Sequence, residues 1–318
     1  MSVPFQRAAD AVRGAGAEAA AIAGHLVRYP TGVGDEPRPP AGRPCPPQHD
    51  GPAPGPGEAP GGAAEAGRPH PGPVLFLHGF ADNRAVFHPL LRALRRDGWT
   101  HLHALNHSPL TSDVRTAAVL LGRHVEWARR AHRGALVALV GHSLGGLIAR
   151  YYVQRLGGDE HVPTVITLAA PHEGTLAAHL PNPFPITRQM RPGSDLLTEL
   201  RRPAATCRTR FTAFWGELDE VVLPARNGRL RHPDLAAENI MVPGAGHVAL
   251  PVDRRVVDGV RRILSAAEAG PAHHGTAGPT AVRADGRMDG QLPGPPDGRT
   301  DLRADRPPTD PPADRLSA

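Results

Sequence analysis

The chain has 318 residues, 40% of them hydrophobic and 4% aromatic, with 37 Pro, 36 Gly, 2 Cys and a formal net charge of +5. Its cations are all Arg, concentrated in residues 74–267 and spread there without interleaved aromatics, which argues against nucleic-acid binding and leaves an anionic lipid headgroup surface as a peripheral contact. No apolar stretch reaches bilayer-spanning length, and no apolar core follows Arg7 in signal-peptide fashion, so the expectation is a cytoplasmic protein.

In chain order, residues 1–29 suggest an Ala-rich helical segment, with Val12, Ile22, Ala23, Leu26 and Val27 on a side that docks on its own domain. Residues 30–73 hold 14 Pro and 10 Gly, too many breakers to bury a core, and read as a disordered linker. Cys45 lies in that linker and Cys207 beyond it, so a structural disulfide between them is not expected. Residues 268–318 turn again to Pro, Gly, Asp and Arg and read as a disordered tail. One folded domain over 74–267 remains.

Within it, Val74-Leu75-Phe76-Leu77 reads as a strand buried on both faces, ending at His78-Gly79-Phe80. Residues 84–97 place Val86, Phe87, Leu90, Leu91 and Leu94 at helical spacing before Asp97-Gly98. His101 to Asn106 reads as a strand. Thr111-Ser112-Asp113 offers caps for a helix to about Arg130. Strands follow at Ala135–Val140, Val162–Ala169, Arg210–Trp215 and Ile240–Val242, then a helix over Val252–Leu264. Strands alternating with helices of ten or more residues imply a mostly parallel α/β sheet with helices on both faces. Functional groups then gather at the carboxyl ends of the strands.

Gly141-His142-Ser143-Leu144-Gly145 sits between the apolar run Leu139-Val140 and the helical stretch from Leu147 to Val153. A serine on a sharp strand-to-helix turn needs small neighbours, and the helix N-terminus behind it favours developing negative charge. Ser143 is the candidate nucleophile. Its hydroxyl needs a base, and the base needs an acid to hold its tautomer. Asp219, in Glu217-Leu218-Asp219-Glu220 after a strand, is the candidate acid, with Glu217 as nearest rival and Glu220 behind it. His247, in Pro243-Gly244-Ala245-Gly246-His247, is the candidate base. The candidate oxyanion donors are the backbone N–H groups of Leu144 and Phe80, Phe80 having simple core packing as its alternative.

Among 18 histidines, His88, His103, His124 and His161 read as surface or helix residues. His101, His103 and His107 lack the Cys or carboxylate partners of a metal site, and no metal is expected. His78 and His142 flank functional glycines and shape loops; His172 is a candidate to line the site.

The segments VLFLHGF (74–80), VGHSLGGLIARYY (140–152), TLAAPHEGT (167–175), FWGELDEVVLP (214–224) and GAGH (244–247) resemble the α/β-hydrolase bacterial lipases and esterases, in that family's order. The resemblance implies a triad of Ser143, Asp219 and His247, oxyanion donors at Phe80 and Leu144, and ester hydrolysis through an acyl-enzyme without a cofactor. Pro171-His172-x-Gly174-Thr175 looks like the triacylglycerol-lipase form of its loop, with Glu173 where many such lipases carry another residue. It points to a lipid or small-molecule ester substrate. Glu173 to Cys207 leaves room for a short cap, so an open site is expected, and Leu180, Phe184, Ile186 and Met190 suit either an acyl groove or ordinary packing. A thioesterase, an amide- or lactone-cleaving enzyme and a non-catalytic ligand-binding protein of the same fold are the rival readings.

Overall fold

The computed structural model describes residues 14, 16, 18–24, 26–32, 72–80, 82–106, 113–181 and 183–268. The expected linker, apart from its two ends, and the expected tail beyond Glu268 lie outside them, as do Cys45, His107, Thr111 and Ser112.

The apolar runs form strands β1 (Val74–Leu77), β2 (Leu102–Leu105), β3 (Ala138–His142), β4 (Thr164–Leu168), β5 (Arg210–Gly216) and β6 (Ala236–Val242). They build one sheet in the order β2-β1-β3-β4-β5-β6, every neighbouring pair parallel. Successive side chains on a strand leave opposite faces. Leu75, Leu139, Val165 and Phe211 therefore join one apolar cluster and Val74, Val140, Ile166 and Phe214 the other.

Helices cover both faces: α1 (His88–Arg96), α2 (Val114–Ala131), α3 (Leu144–Arg155), α4 (Asp195–Leu200) and α5 (Arg254–Glu268). Buried residues of α2, α3 and α4 lie in the first cluster, and those of α1 and α5 in the second. A 3-10 turn, Arg84–Phe87, precedes α1, and Asn83 caps it by accepting the Ala85 N–H at 2.9 Å. Asp113 caps α2 through the Arg115 N–H at 2.6 Å.

Several boundaries differ from expectation, the starts of two strands among them. β3 begins at Ala138, because the backbone after α2 first turns through positive φ at Arg133 and Gly134. β6 begins at Ala236, four residues before the apolar triplet, because its ladder with β5 needs backbone partners, not apolar side chains.

The N-terminal segment does dock on the domain, by another face. Its described residues between 14 and 28 are helical, and Gly14, Glu18 and Ala21 are the buried ones. Ile22, Leu26 and Val27 are exposed, and Val12 lies outside the described residues. The domain surface there presents backbone N–H groups, which favour a carboxylate over an apolar stripe. Further along, Asn83 Nδ2 donates to the Tyr29 carbonyl at 2.9 Å and Asn106 Nδ2 to the Gly32 carbonyl at 2.8 Å. Among the described residues no helix is long and apolar enough to cross a membrane.

Candidate active site

Ser143 links β3 directly to α3 with φ 51° and ψ −119°. A non-glycine residue pays strain for positive φ, and the surrounding bonds hold it there. Its N–H donates to the Leu168 carbonyl at the end of β4 (2.8 Å), and its carbonyl accepts the Gly146 N–H (3.0 Å). The flanking glycines make the bend feasible. A Cβ at position 141 would lie 2.6 Å from the Gly145 carbonyl group, and one at 145 would run into the Leu77 carbonyl oxygen.

Asp219 and His247 meet across the loops that follow β5 and β6. His247 Nδ1 lies 2.9 Å from Asp219 Oδ2 and 3.1 Å from Oδ1. Facing a carboxylate, Nδ1 carries the proton and Nε2 keeps its lone pair. Asp219 Oδ1 also accepts the N–H groups of Val221 (2.9 Å) and Val222 (2.7 Å), so the acid is locked into its own loop. Glu217, the rival acid, accepts the Gly244 N–H at 3.1 Å and is on the loop carrying the base, not on the imidazole. The two loops are stitched further by Leu218 N–H to the Ala245 carbonyl at 3.0 Å.

Ser143, Asp219 and His247 keep only 7, 5 and 5% of their surface exposed. Among the described residues the Ser143 hydroxyl makes no hydrogen bond to His247. His142 makes the link between the elbow and the base. Its ring centroid lies 5.0 Å from that of His247, its Nε2 lies 3.3 Å from the His247 carbonyl oxygen, and its Nδ1 lies 3.5 Å from Asp82 Oδ2. Burial pushes the His142 pKa down, so this bridge is a neutral imidazole. The turn after β1 closes on the same point, where a Cβ on Gly79 would lie 3.1 Å from Ser143 Cβ.

Phe80 lies in that turn, and Leu144 is the first residue of α3, whose leading N–H groups have no intrahelical partner. The Phe80 ring packs on the larger apolar cluster and edge-on against Phe184, centroids 5.3 Å apart. Of the other cap side chains, Ile186 and Met190 are buried in that cluster, whereas Leu180 is exposed. Exposed Leu176, Val221 and Leu223 lie on loops joined by the Leu176 N–H to the Leu223 carbonyl. Thr175 Oγ1 reinforces this junction, donating to the Val221 carbonyl (2.6 Å) and accepting the Leu223 N–H (2.9 Å).

His172 does not line the site. It is buried with Nε2 2.9 Å from Thr167 Oγ1, and desolvation drives its pKa well below the ordinary histidine value. It fastens its loop to β4 as a neutral side chain. Beside it lies a residue that sequence reasoning missed. Arg150, on α3 and 1% exposed, donates to Gln154 Oε1 and to the carbonyls of His172 and Leu200 at 3.0, 3.2 and 3.1 Å. Burial lowers its pKa to about 10. It ties the elbow helix to the loop after β4 and to α4. Nothing in the helical pattern of α3 separates it from a surface arginine. Glu173 pairs with Arg201 at 2.9 Å.

Glu18, also unanticipated, reaches the base loop by accepting the N–H groups of Val248 and Ala249. On the far edge of the sheet the His101 ring stacks on His132 with centroids 3.9 Å apart, and His103 meets Trp127 edge-on at 4.9 Å. Among the described residues no group of three or more His, Cys, Asp or Glu is placed to hold a metal ion.

A six-stranded parallel sheet with a strained serine turn after β3, and an Asp–His pair in the loops after β5 and β6, has the form of the α/β-hydrolase fold. The family model of the alpha/beta hydrolase fold matches residues 72–213 of the chain. The match includes Ser143 and ends before Asp219 and His247, whose pairing rests on geometry. Among solved structures the chain is similar to Bacillus licheniformis lipase BlEst2 in its mature form, at 16% identity and a TM-score of 0.52, covering 64% of this chain and 96% of that one. It is also similar to Aspergillus fumigatus lipase B, at 15% identity and a TM-score of 0.51, covering 61% of this chain and 52% of that one. At these identities the likeness is one of fold.

Proposed function

We propose that this protein is a serine hydrolase of carboxylic esters, with lipid or other acyl esters as its substrate class. The Asp219 carboxylate at 2.9 Å from His247 Nδ1 is the observation that carries the reading, because it leaves Nε2 free to act as a base, beside a strand-to-helix turn that holds Ser143 in strain. Ser143 Oγ attacks the ester carbonyl carbon while its proton passes to His247 Nε2. The oxyanion is held by the N–H groups of Phe80 and Leu144, and each such donor is worth on the order of 10²–10³ in rate. Collapse breaks the carbon–oxygen bond to the alcohol, which leaves with the proton from His247. Water, deprotonated by the same imidazole, then releases the acid and restores Ser143.

The Phe80–Phe184 pair supplies an apolar wall, and the exposed Leu176, Leu180, Val221 and Leu223 supply an apolar rim. Both favour an acyl chain over a polar leaving group, and the rim suits peripheral contact with a lipid surface. The lipases named above share the fold at low identity, so the choice of substrate rests on these residues.

The test is turnover of p-nitrophenyl esters of increasing chain length set against acyl-CoA, with Ser143→Ala as control. Ester hydrolysis abolished by Ser143→Ala, with labelling of Ser143 by a fluorophosphonate, is the expected result. Turnover of acyl-CoA with long esters untouched would replace the ester reading by thioester cleavage. Unimpaired hydrolysis in Ser143→Ala would remove the nucleophile.

A further inference from the structure

Glu18 precedes the base loop by more than two hundred residues and yet is built into it. Its side chain is 8% exposed, and its two oxygens accept consecutive N–H groups, Oε1 from Val248 at 2.6 Å and Oε2 from Ala249 at 2.9 Å. These residues directly follow His247 and lead into the 3-10 turn Leu250–Val252. One carboxylate thus caps the turn that ends the base loop. Four residues earlier, one helical turn away on the same face, Gly14 packs against both loops. A Cβ there would collide with the Gly244 carbonyl oxygen and lie 2.7 Å from a Leu218 methyl.

The Glu18 carboxyl and that of Glu220, the residue after Asp219, both crowd Gly246, the residue before His247, where a Cβ would lie 2.5 Å from Glu18 Oε2 and 3.0 Å from Glu220 Oε2. The His247 loop is therefore held from two sides, by Asp219 on the imidazole and by Glu18 on the backbone behind it.

We propose that Glu18 is a positioning residue of the active site, holding the His247 loop against Asp219 from the N-terminal helical segment. The proposal rests on the hydrolase reading above. Among the described residues, the titratable groups of the two loops facing this point are Glu217, engaged with the Gly244 N–H, Asp219, engaged with His247, and Glu220. Burial first, and then Glu220, raise the Glu18 pKa above the usual carboxylate value, against the lowering by the Val248 and Ala249 N–H groups.

The experiment compares the full-length protein with Glu18→Ala and Glu18→Gln, measuring kcat and KM on a p-nitrophenyl ester, and hydrogen exchange of residues 244–252 by mass spectrometry. Glu18→Ala is expected to expose residues 244–252 to exchange and to lower kcat by about tenfold or more with little change in KM, since small misplacements of catalytic groups cost up to about 10² in rate. Glu18→Gln, whose amide oxygen still accepts an N–H, should recover most of that loss. Exchange and kcat in Glu18→Ala within about twofold of the parent, well under the loss of one buried hydrogen bond, overturn the positioning role. If the parent hydrolyses no ester, the hydrolase reading fails on its own, and the exchange arm still decides whether Glu18 holds the loop.

Discussion

His247 Nδ1 faces both carboxylate oxygens of Asp219, at 2.9 and 3.1 Å, while Asp219 Oδ1 also accepts the N–H groups of Val221 and Val222. The same oxygen stiffens its loop and fixes the imidazole tautomer. Asp219→Asn keeps the shape and loses the tautomer, so kcat should fall by about 10⁴-fold. Glu217→Gln, which disturbs only the Gly244 N–H contact, should stay within about tenfold of the parent. Steady-state kinetics of the two variants decide the acid; the larger loss in Glu217→Gln would reverse the assignment.

Gly145 abuts the carbonyls of Leu77 and His78 at the end of β1. Gly145→Ala has no side-chain end that can swing away, so the elbow must shift against the sheet. Thermal unfolding should show a loss of about 1–3 kcal/mol, and fluorophosphonate labelling of Ser143 should slow. Parent-like melting and labelling would mean that the contact yields freely.

Arg150 satisfies three acceptors inside the protein, on Gln154, His172 and Leu200. Arg150→Met fills similar volume and leaves the Gln154 and His172 oxygens without this donor, while the Leu200 carbonyl keeps Gln154 Nε2. Urea unfolding should show a loss of about 2–4 kcal/mol. A neutral or stabilising outcome would indicate that desolvation of the guanidinium outweighs its bonds.

His142 and His172 are buried as neutral imidazoles with depressed pKa values, desolvation being the first cause for each. The unfolded chain binds their protons below about pH 6.5 and the folded chain does not, so their contribution to stability is present above that value and lost as pH falls. Each should cost about 1.4 kcal/mol per pH unit below the unfolded-chain value until its folded value is reached. Urea midpoints at pH 7 and pH 5 check the sign, and His172→Gln should shrink the difference. A higher midpoint at pH 5 would contradict it.

Phe184 packs edge-on against Phe80, the proposed wall of the site. Phe184→Ala should lower kcat/KM for long-chain esters by about tenfold relative to short ones, the scale of a few methylenes of lost apolar contact. An unchanged chain-length profile would place the acyl groove elsewhere.

Much of the sheet was legible because it is parallel. Strands buried on both faces appear as apolar runs such as Val74–Leu77 and Thr164–Leu168, and the strand–serine–helix transition at 143 is local. β6 was legible only at Ile240–Val242, since its first residues, Ala236 to Asn239, are held by an edge ladder that accepts exposed and polar side chains. His172 looked like a site residue because its neighbours did, and its burial against Thr167 depends on where β4 ends.

The sequence by itself determined the order of elements, the serine elbow and a short choice among carboxylates and histidines, because these follow from residues close along the chain. Only the tertiary structure decided that Asp219 and not Glu217 faces His247, that Arg150 is buried, and that Glu18 reaches Val248 and Ala249 across 230 and 231 positions. Hydrogen bonding and desolvation act through space, and charged side chains look alike in sequence until the packing assigns each one water or a partner.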